Sequence, residues 1–122
     1  MILADTSIWI DHFRAGNSDL QAQLANRNIV IHPFVVAELA FGSLRDRLQT
    51  LGYLDRLPQA KVAQLSEVRR MIETGSLWSL GIGLIDAHLV ASTFLNPATL
   101  LWTKDKHLRK VAKSLGILAN LP

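Results

Sequence analysis

Cysteine is absent from the 122 residues, which removes disulfide frameworks, thiolate metal sites and cysteine nucleophiles from consideration. Charge is sparse too: 19% of the chain is charged against 49% hydrophobic, a balance that argues against disorder and predicts one compact domain over residues 1–122. No apolar run approaches eighteen residues, so no membrane span is expected. The N-terminal stretch lacks the basic region and small-residue cleavage site of a signal peptide, and a soluble chain in the reducing cytoplasm is the expectation. His12, His32, His88 and His107 show no zinc spacing. Gly81-Ile-Gly83 lacks the remainder of a dinucleotide fingerprint, and there is no repeat, low-complexity tract or linker.

What is present begins with Met1-Ile-Leu-Ala4, an apolar run that ends on Asp5 with Thr6 and Ser7 behind it. Such a run suits a central strand of a parallel sheet covered on both faces. Ser7 is the expected N-cap of a helix over Ile8–Arg14, and Ser18, with Gln21 three residues on, that of a second helix. Ile29–Ile31 is β-branched and predicts a strand. Pro33 suits the first turn of a helix running to about Leu44, Asp46–Arg56 continues in helical register, and Pro58 stops it. Lys61–Leu65 alternates like a short strand, and Ser66–Ile72 reads as a helix ending before Gly75. Gly75–Gly83 is an expected loop and Leu84–Leu95 a helix stopped by Asn96-Pro97. Thr99–Thr103 is a further buried strand, Asp105–Leu115 a basic helix closed by Gly116, and Ile117–Ala119 an edge strand. Strands alternating with helices predict an α/β fold around a mostly parallel sheet.

The acids carry the functional signal. Of ten acidic residues, six (Asp11, Asp19, Asp46, Asp55, Glu67 and Glu73) lie among polar or basic neighbours, where a carboxylate costs little. Asp5, Glu38, Asp86 and Asp105 instead interrupt or directly follow segments that read as core. A buried carboxylate without a partner costs several kcal/mol. Ligands of parallel sheets sit at the carboxyl ends of the strands, and all four acids fall where they can border one such crevice. Four hard oxygen donors there suit Mg2+ or Mn2+.

Asp5-Thr-Ser, Glu38 in Val-Val-Ala-Glu-Leu, Asp86 in Leu-Ile-Asp-Ala-His-Leu-Val-Ala-Ser, and Thr103-Lys-Asp105 resemble, in order and over nearly the whole chain, the four acidic motifs of the PIN domain. Its size with no added domain resembles in particular the VapC toxins of bacterial toxin–antitoxin pairs. The chain departs from the pattern at His32 and Val35, where family members often carry hydroxyls before the second acid, and at Ile85 before the third. The resemblance implies a three-layer α/β/α sandwich and a Mg2+- or Mn2+-dependent endoribonuclease, with a homodimeric state and an inhibiting antitoxin as partners. Phosphodiester hydrolysis needs an activated water and neutralised phosphate charge, and a carboxylate-held metal supplies both. Asp5 and Asp86 are assigned as principal metal ligands, with Asp105 completing the site and Glu38 as ligand or as the base orienting the attacking water. Thr6, Ser7 and Thr103 are assigned as donors fixing the carboxylates.

Net charge is +3. With the four acids neutralised, thirteen cations against six acids leave +7, the balance of a nucleic-acid-binding surface. Lys104, Lys106, Arg109, Lys110 and Lys113 lie within ten residues beside Asp105, and the first four, with Arg14, are the expected RNA contacts. Trp9 and Trp102 are expected in the core, whereas Trp78, in a loop, is a candidate for stacking on a base. Two other readings compete. One is a phosphatase of the haloacid dehalogenase type with Asp5 as nucleophile, disfavoured by Ser7 where a second Asp is usual. The other is a non-catalytic α/β module holding RNA or a protein.

Overall fold

The computed structural model describes residues 1–122. Its centre is a parallel sheet of β1 (Ile2–Ala4), β2 (Ile29–Val30) and β3 (Leu100–Trp102) in the order β2-β1-β3. Ile2 pairs with Ile29 and with Leu100, and Ala4 with Trp102. Successive side chains of a strand point to opposite faces, and Ile2, Leu3 and Ala4 are all buried, so helices cover both faces, as the expected α/β/α sandwich requires. Strand order reverses at β1, with β2 on one side and β3 on the other. The carboxyl end of β1 is therefore the point where such sheets open a crevice.

Seven helices follow the strands: α1 (Thr6–Ala15), α2 (Ser18–Ala25), α3 (Pro33–Ala40), α4 (Arg47–Asp55), α5 (Leu65–Thr74), α6 (Leu84–Leu95) and α7 (Lys106–Ser114). One cluster of buried side chains, among them Leu3, Ile8, Trp9, Leu20, Ile31, Leu89, Trp102 and Leu108, joins the sheet to α1, α2, α6 and α7. Trp9 and Trp102 are core residues as expected and Trp78 is exposed. No helix is long and apolar enough to cross a membrane.

Several boundaries differ from expectation. Asp5 caps α1 in place of Ser7, and Asn17 caps α2 in place of Ser18, its Oδ1 accepting from Leu20 N–H at 2.9 Å. Helix α3 stops at Ala40, short of Leu44, because the Arg47 guanidinium takes the carbonyls of Ala40 (2.5 Å) and Gly42 (3.1 Å). Lys61–Leu65 is not a strand. Its backbone is tied to α6, with Ser92 Oγ donating to Lys61 O at 2.6 Å and Lys61 N–H donating to Asn96 Oδ1 at 3.3 Å. The sheet edge there is extended by a single parallel bridge, Ile31 to Gln59, and the expected strand at Ile117–Ala119 is likewise one bridge, Leu101 to Leu118.

Candidate active site

At the end of β1 the backbone of Asp5 still belongs to the sheet, its N–H donating to Trp102 O at 2.9 Å, while its side chain turns to cap α1. One carboxylate oxygen accepts from the Ser7 N–H at 2.8 Å and from the Ser7 hydroxyl, and the other from Thr103 Oγ1 at 2.5 Å. Asp5 is only 5% exposed. Burial pushes its carboxyl above the usual range, and the hydrogen bonds from Ser7 and Thr103 offset part of that rise. Ser7 also accepts from Lys104 N–H, and Thr103 from Asp105 N–H, each at 3.0 Å. The turn leaving β3 is thus fastened to the turn leaving β1 through these two hydroxyls.

The other acids arrive on helices. Asp105 caps α7, its Oδ1 accepting from Leu108 N–H at 2.9 Å. Asp86, in the first turn of α6, accepts from Gly83 N–H at 3.2 Å through Oδ2. Glu38 lies on α3, and its Oε1 accepts from Thr6 Oγ1 at 2.5 Å. Asp86 is held above the ordinary carboxyl range by burial first, offset in part by the Gly83 bond, and further by the charges of Asp105 and Glu38. Asp86 therefore lies within the field of both.

No cation of the chain compensates them. The two ion pairs within 4.0 Å both involve Asp11. Glu38, Asp86 and Asp105 each keep one carboxylate oxygen free of hydrogen bonds. A donor set of hard anionic oxygens fits Mg2+ or Mn2+ in chemistry. The side chains are not converged as they stand, however: no three Asp, Glu or His side chains are grouped closely enough to hold a metal together, each acid being turned toward its own cap or donor.

The basic residues divide. Lys106 and Lys110 are exposed on α7 beyond Asp105, while Leu108, Val111 and Ala112 bury the opposite face. Arg14, its guanidinium 4.0 Å from Asp11, lines one cleft of about 410 Å3 with Glu38. Lys104 and Arg109 have structural partners that their position in the sequence does not reveal. Lys104 Nζ is paired with Asp11 at 3.0 Å, and Arg109 Nη1 donates to the carbonyls of Thr103 (3.0 Å) and Leu121 (3.3 Å). Asp11, read from the sequence as an ordinary surface acid, therefore braces the site, with Asn17 Nδ2 donating to it at 3.1 Å. The available signal was spacing: Asp11 stands one helical turn after Ser7 and shares its face.

A family model described as PIN domain matches residues 2–114. The chain belongs to the PIN-domain family. Two curated relatives, both called Ribonuclease VapC32 and from Mycobacterium tuberculosis strains CDC 1551 / Oshkosh and ATCC 25618 / H37Rv, are each 39% identical over 117 residues, covering 96% of this chain and 94% of the relative. Family membership sets the phosphatase reading aside.

Proposed function

We propose that the chain is a Mg2+- or Mn2+-dependent endoribonuclease, the toxin of a VapC-type toxin–antitoxin pair, built as a single PIN-like domain and acting in the cytoplasm. The observation that carries the reading is that the turn at Asp5 is tied to two of the other acids, Thr6 donating to Glu38 and Thr103 joining Asp5 to the Asp105 backbone, while Asp86 lies in the field of Glu38 and Asp105 and no cation of the chain is paired with any of the four. Bound by these carboxylates, a divalent cation would supply an activated water and neutralise charge on the phosphate. Asp5, held by Ser7 and Thr103, would be the fixed ligand. Asp86 and Asp105 would hold the cation with the oxygens their caps leave free, and Glu38, steadied by Thr6, would serve as ligand or as base toward the attacking water. Lys106 and Lys110 attract the RNA backbone, and Arg14, in the cleft beside Glu38, adds to that field. Lys104 and Arg109, first of all structural, add positive field. Phe41 and Leu48, 93% and 88% exposed on the α3–α4 hairpin, support a protein-binding surface for a second copy or an antitoxin.

Incubating purified, partner-free protein with total cellular RNA in Mg2+, in Mn2+ and in EDTA, beside Asp5→Asn, tests this. Discrete fragments that require both metal and Asp5 are expected. Cleavage that persists in EDTA or in Asp5→Asn would refute the assignment.

A further inference from the structure

A groove of about 460 Å3 separates the α5–α6 loop from α7, lined by Ser79, Gly81, His107, Lys110 and Ser114 among others. The loop wall is held in an uncommon shape: Ser76, Ser79 and Gly81 have φ of 52°, 60° and 80°, conformations that persist in non-glycine residues only where the surroundings enforce them. At Gly81 the loop backbone meets α7 directly. A Cβ there would stand 2.7 Å from His107 Cδ2, so the imidazole lies directly against the loop backbone and only glycine admits it. At Lys110 the groove adjoins a second cavity of about 640 Å3 lined by Arg109, Lys113 and Asn120. No carboxylate lines either one, and none of the three cations is in an ion pair.

Both walls of the groove lead to the acids. The loop ends at Gly83, whose N–H donates to Asp86, and the helical wall begins at Asp105, two residues before His107. Trp78, beside Ser79, is 56% exposed. An imidazole, flanking hydroxyls and uncompensated cations, set within reach of a hydrolytic centre, are the features that recognise an unpaired nucleotide. The ring stacks on a base, the hydroxyls bond its edge or the ribose, and the cations hold phosphates.

We infer that the groove between residues 75–83 and α7 binds an unpaired nucleotide of single-stranded RNA next to the bond to be cut, with His107 and Ser79 reading the base and Lys110 holding its phosphate. This rests on the nuclease reading, and two measurements separate its failure from that of the reading itself. In the first, a pool of short single-stranded RNA of randomised sequence is cleaved in Mn2+ by wild type, His107→Ala, His107→Gln and Lys110→Ala. Wild type shows a base preference at one position beside the cut. Both His107 variants flatten it, and Lys110→Ala keeps it while weakening binding for all sequences and lowering the salt dependence. A preference unchanged in both His107 variants overturns the inference and leaves the nuclease intact.

The second measurement needs no cleavage. Trp9 and Trp102 are buried and Trp78 is exposed, so tryptophan fluorescence of Asp5→Asn reports on the loop. The same RNA pool quenches it, Trp78→Phe abolishes the quenching, and adding His107→Ala weakens the binding about tenfold, the loss expected for one stacked base. Quenching that survives Trp78→Phe, or binding unaltered by His107→Ala, overturns the inference. So does quenching by an acidic peptide with none by RNA, which would make the groove a protein-docking surface.

Discussion

Asp5 and Asp105 follow neighbouring parallel strands, yet they are held in opposite ways. Asp5 is buried and accepts three hydrogen bonds, from the Ser7 N–H and the Ser7 and Thr103 hydroxyls; Asp105 is exposed, with one capping bond from Leu108. Asp86 resembles Asp105 in having a single bond, to Gly83. One side of the crevice is therefore set by folding, because moving Asp5 would leave two hydroxyls and an N–H without their acceptor. The other side is adjustable, since a helix cap is worth about 1 kcal/mol and can be exchanged for a stronger interaction. The acids are thus neighbours held unequally: Asp5 is fixed by three hydrogen bonds, while Glu38, Asp86 and Asp105 each have one.

The largest effect should come from neutralising one acid on each side. Asp5→Asn and Asp86→Asn should both bring metal-dependent RNA cleavage to background. In EDTA they should differ. Asp86→Asn removes a carboxylate disfavoured by burial and by Asp105 and Glu38, so its melting temperature should rise. Asp5→Asn disturbs the Ser7–Thr103 network and should gain less. Equal shifts would mean that the two sides do not differ as described.

Thr103→Val sharpens the contrast next. It removes the donor to Asp5 and the acceptor of Asp105 N–H at nearly constant volume, and should lower cation affinity about 10- to 100-fold and stability by about 1–3 kcal/mol. Thr103→Ser should restore most of both. The two losses can be measured by Mn2+ titration and by urea unfolding.

A third test concerns His32, buried at the N-cap of α3, which carries Glu38. Its Nδ1 accepts from Phe34 N–H at 2.9 Å, so the cap needs the neutral ring, and burial, with His88 beside it, pushes the pKa from 6.5 down to about 4. Below pH 6.5 the unfolded chain takes up this proton more readily than the folded one. The stability is therefore complete above that pH and is lost as pH falls toward about 4. Between pH 7 and 5 the loss should be on the order of 1–2 kcal/mol, and His32→Asn, which keeps a capping oxygen, should flatten it in thermal unfolding.

The smallest effect belongs to Asp11→Asn. Freeing Lys104 and Arg14 from their exposed ion pairs should change stability little, while adding phosphate contacts that raise the salt dependence of RNA binding by about one to two.

The sequence makes the acids legible because each breaks an apolar pattern: Asp5 ends a buried strand, and Glu38 and Asp86 stand in helices otherwise rich in core residues. The long elements follow from the same periodicity. What escapes it is held by side chains distant in sequence. The alternation over Lys61–Leu65 is satisfied by Ser92 and Asn96 of α6 and its C-cap, not by a strand. The early end of α3 is set by Arg47. Lys104 and Arg109 read as free cations in a basic run because Asp11 and Leu121, their partners, lie 93 and 12 residues away. Asp5 displaces Ser7 as the cap of α1 for the same kind of reason: its carboxylate must be satisfied where it is buried.

On the proposed function, these acids form one cation site with Asp5 as its fixed member. The most direct test is thermal unfolding of the metal-free protein titrated with Mn2+, run on wild type, Asp5→Asn and Asp86→Asn. A saturable rise in melting temperature for wild type that both variants lose is the predicted result. An equal rise in all three would place the cation elsewhere and contradict the account.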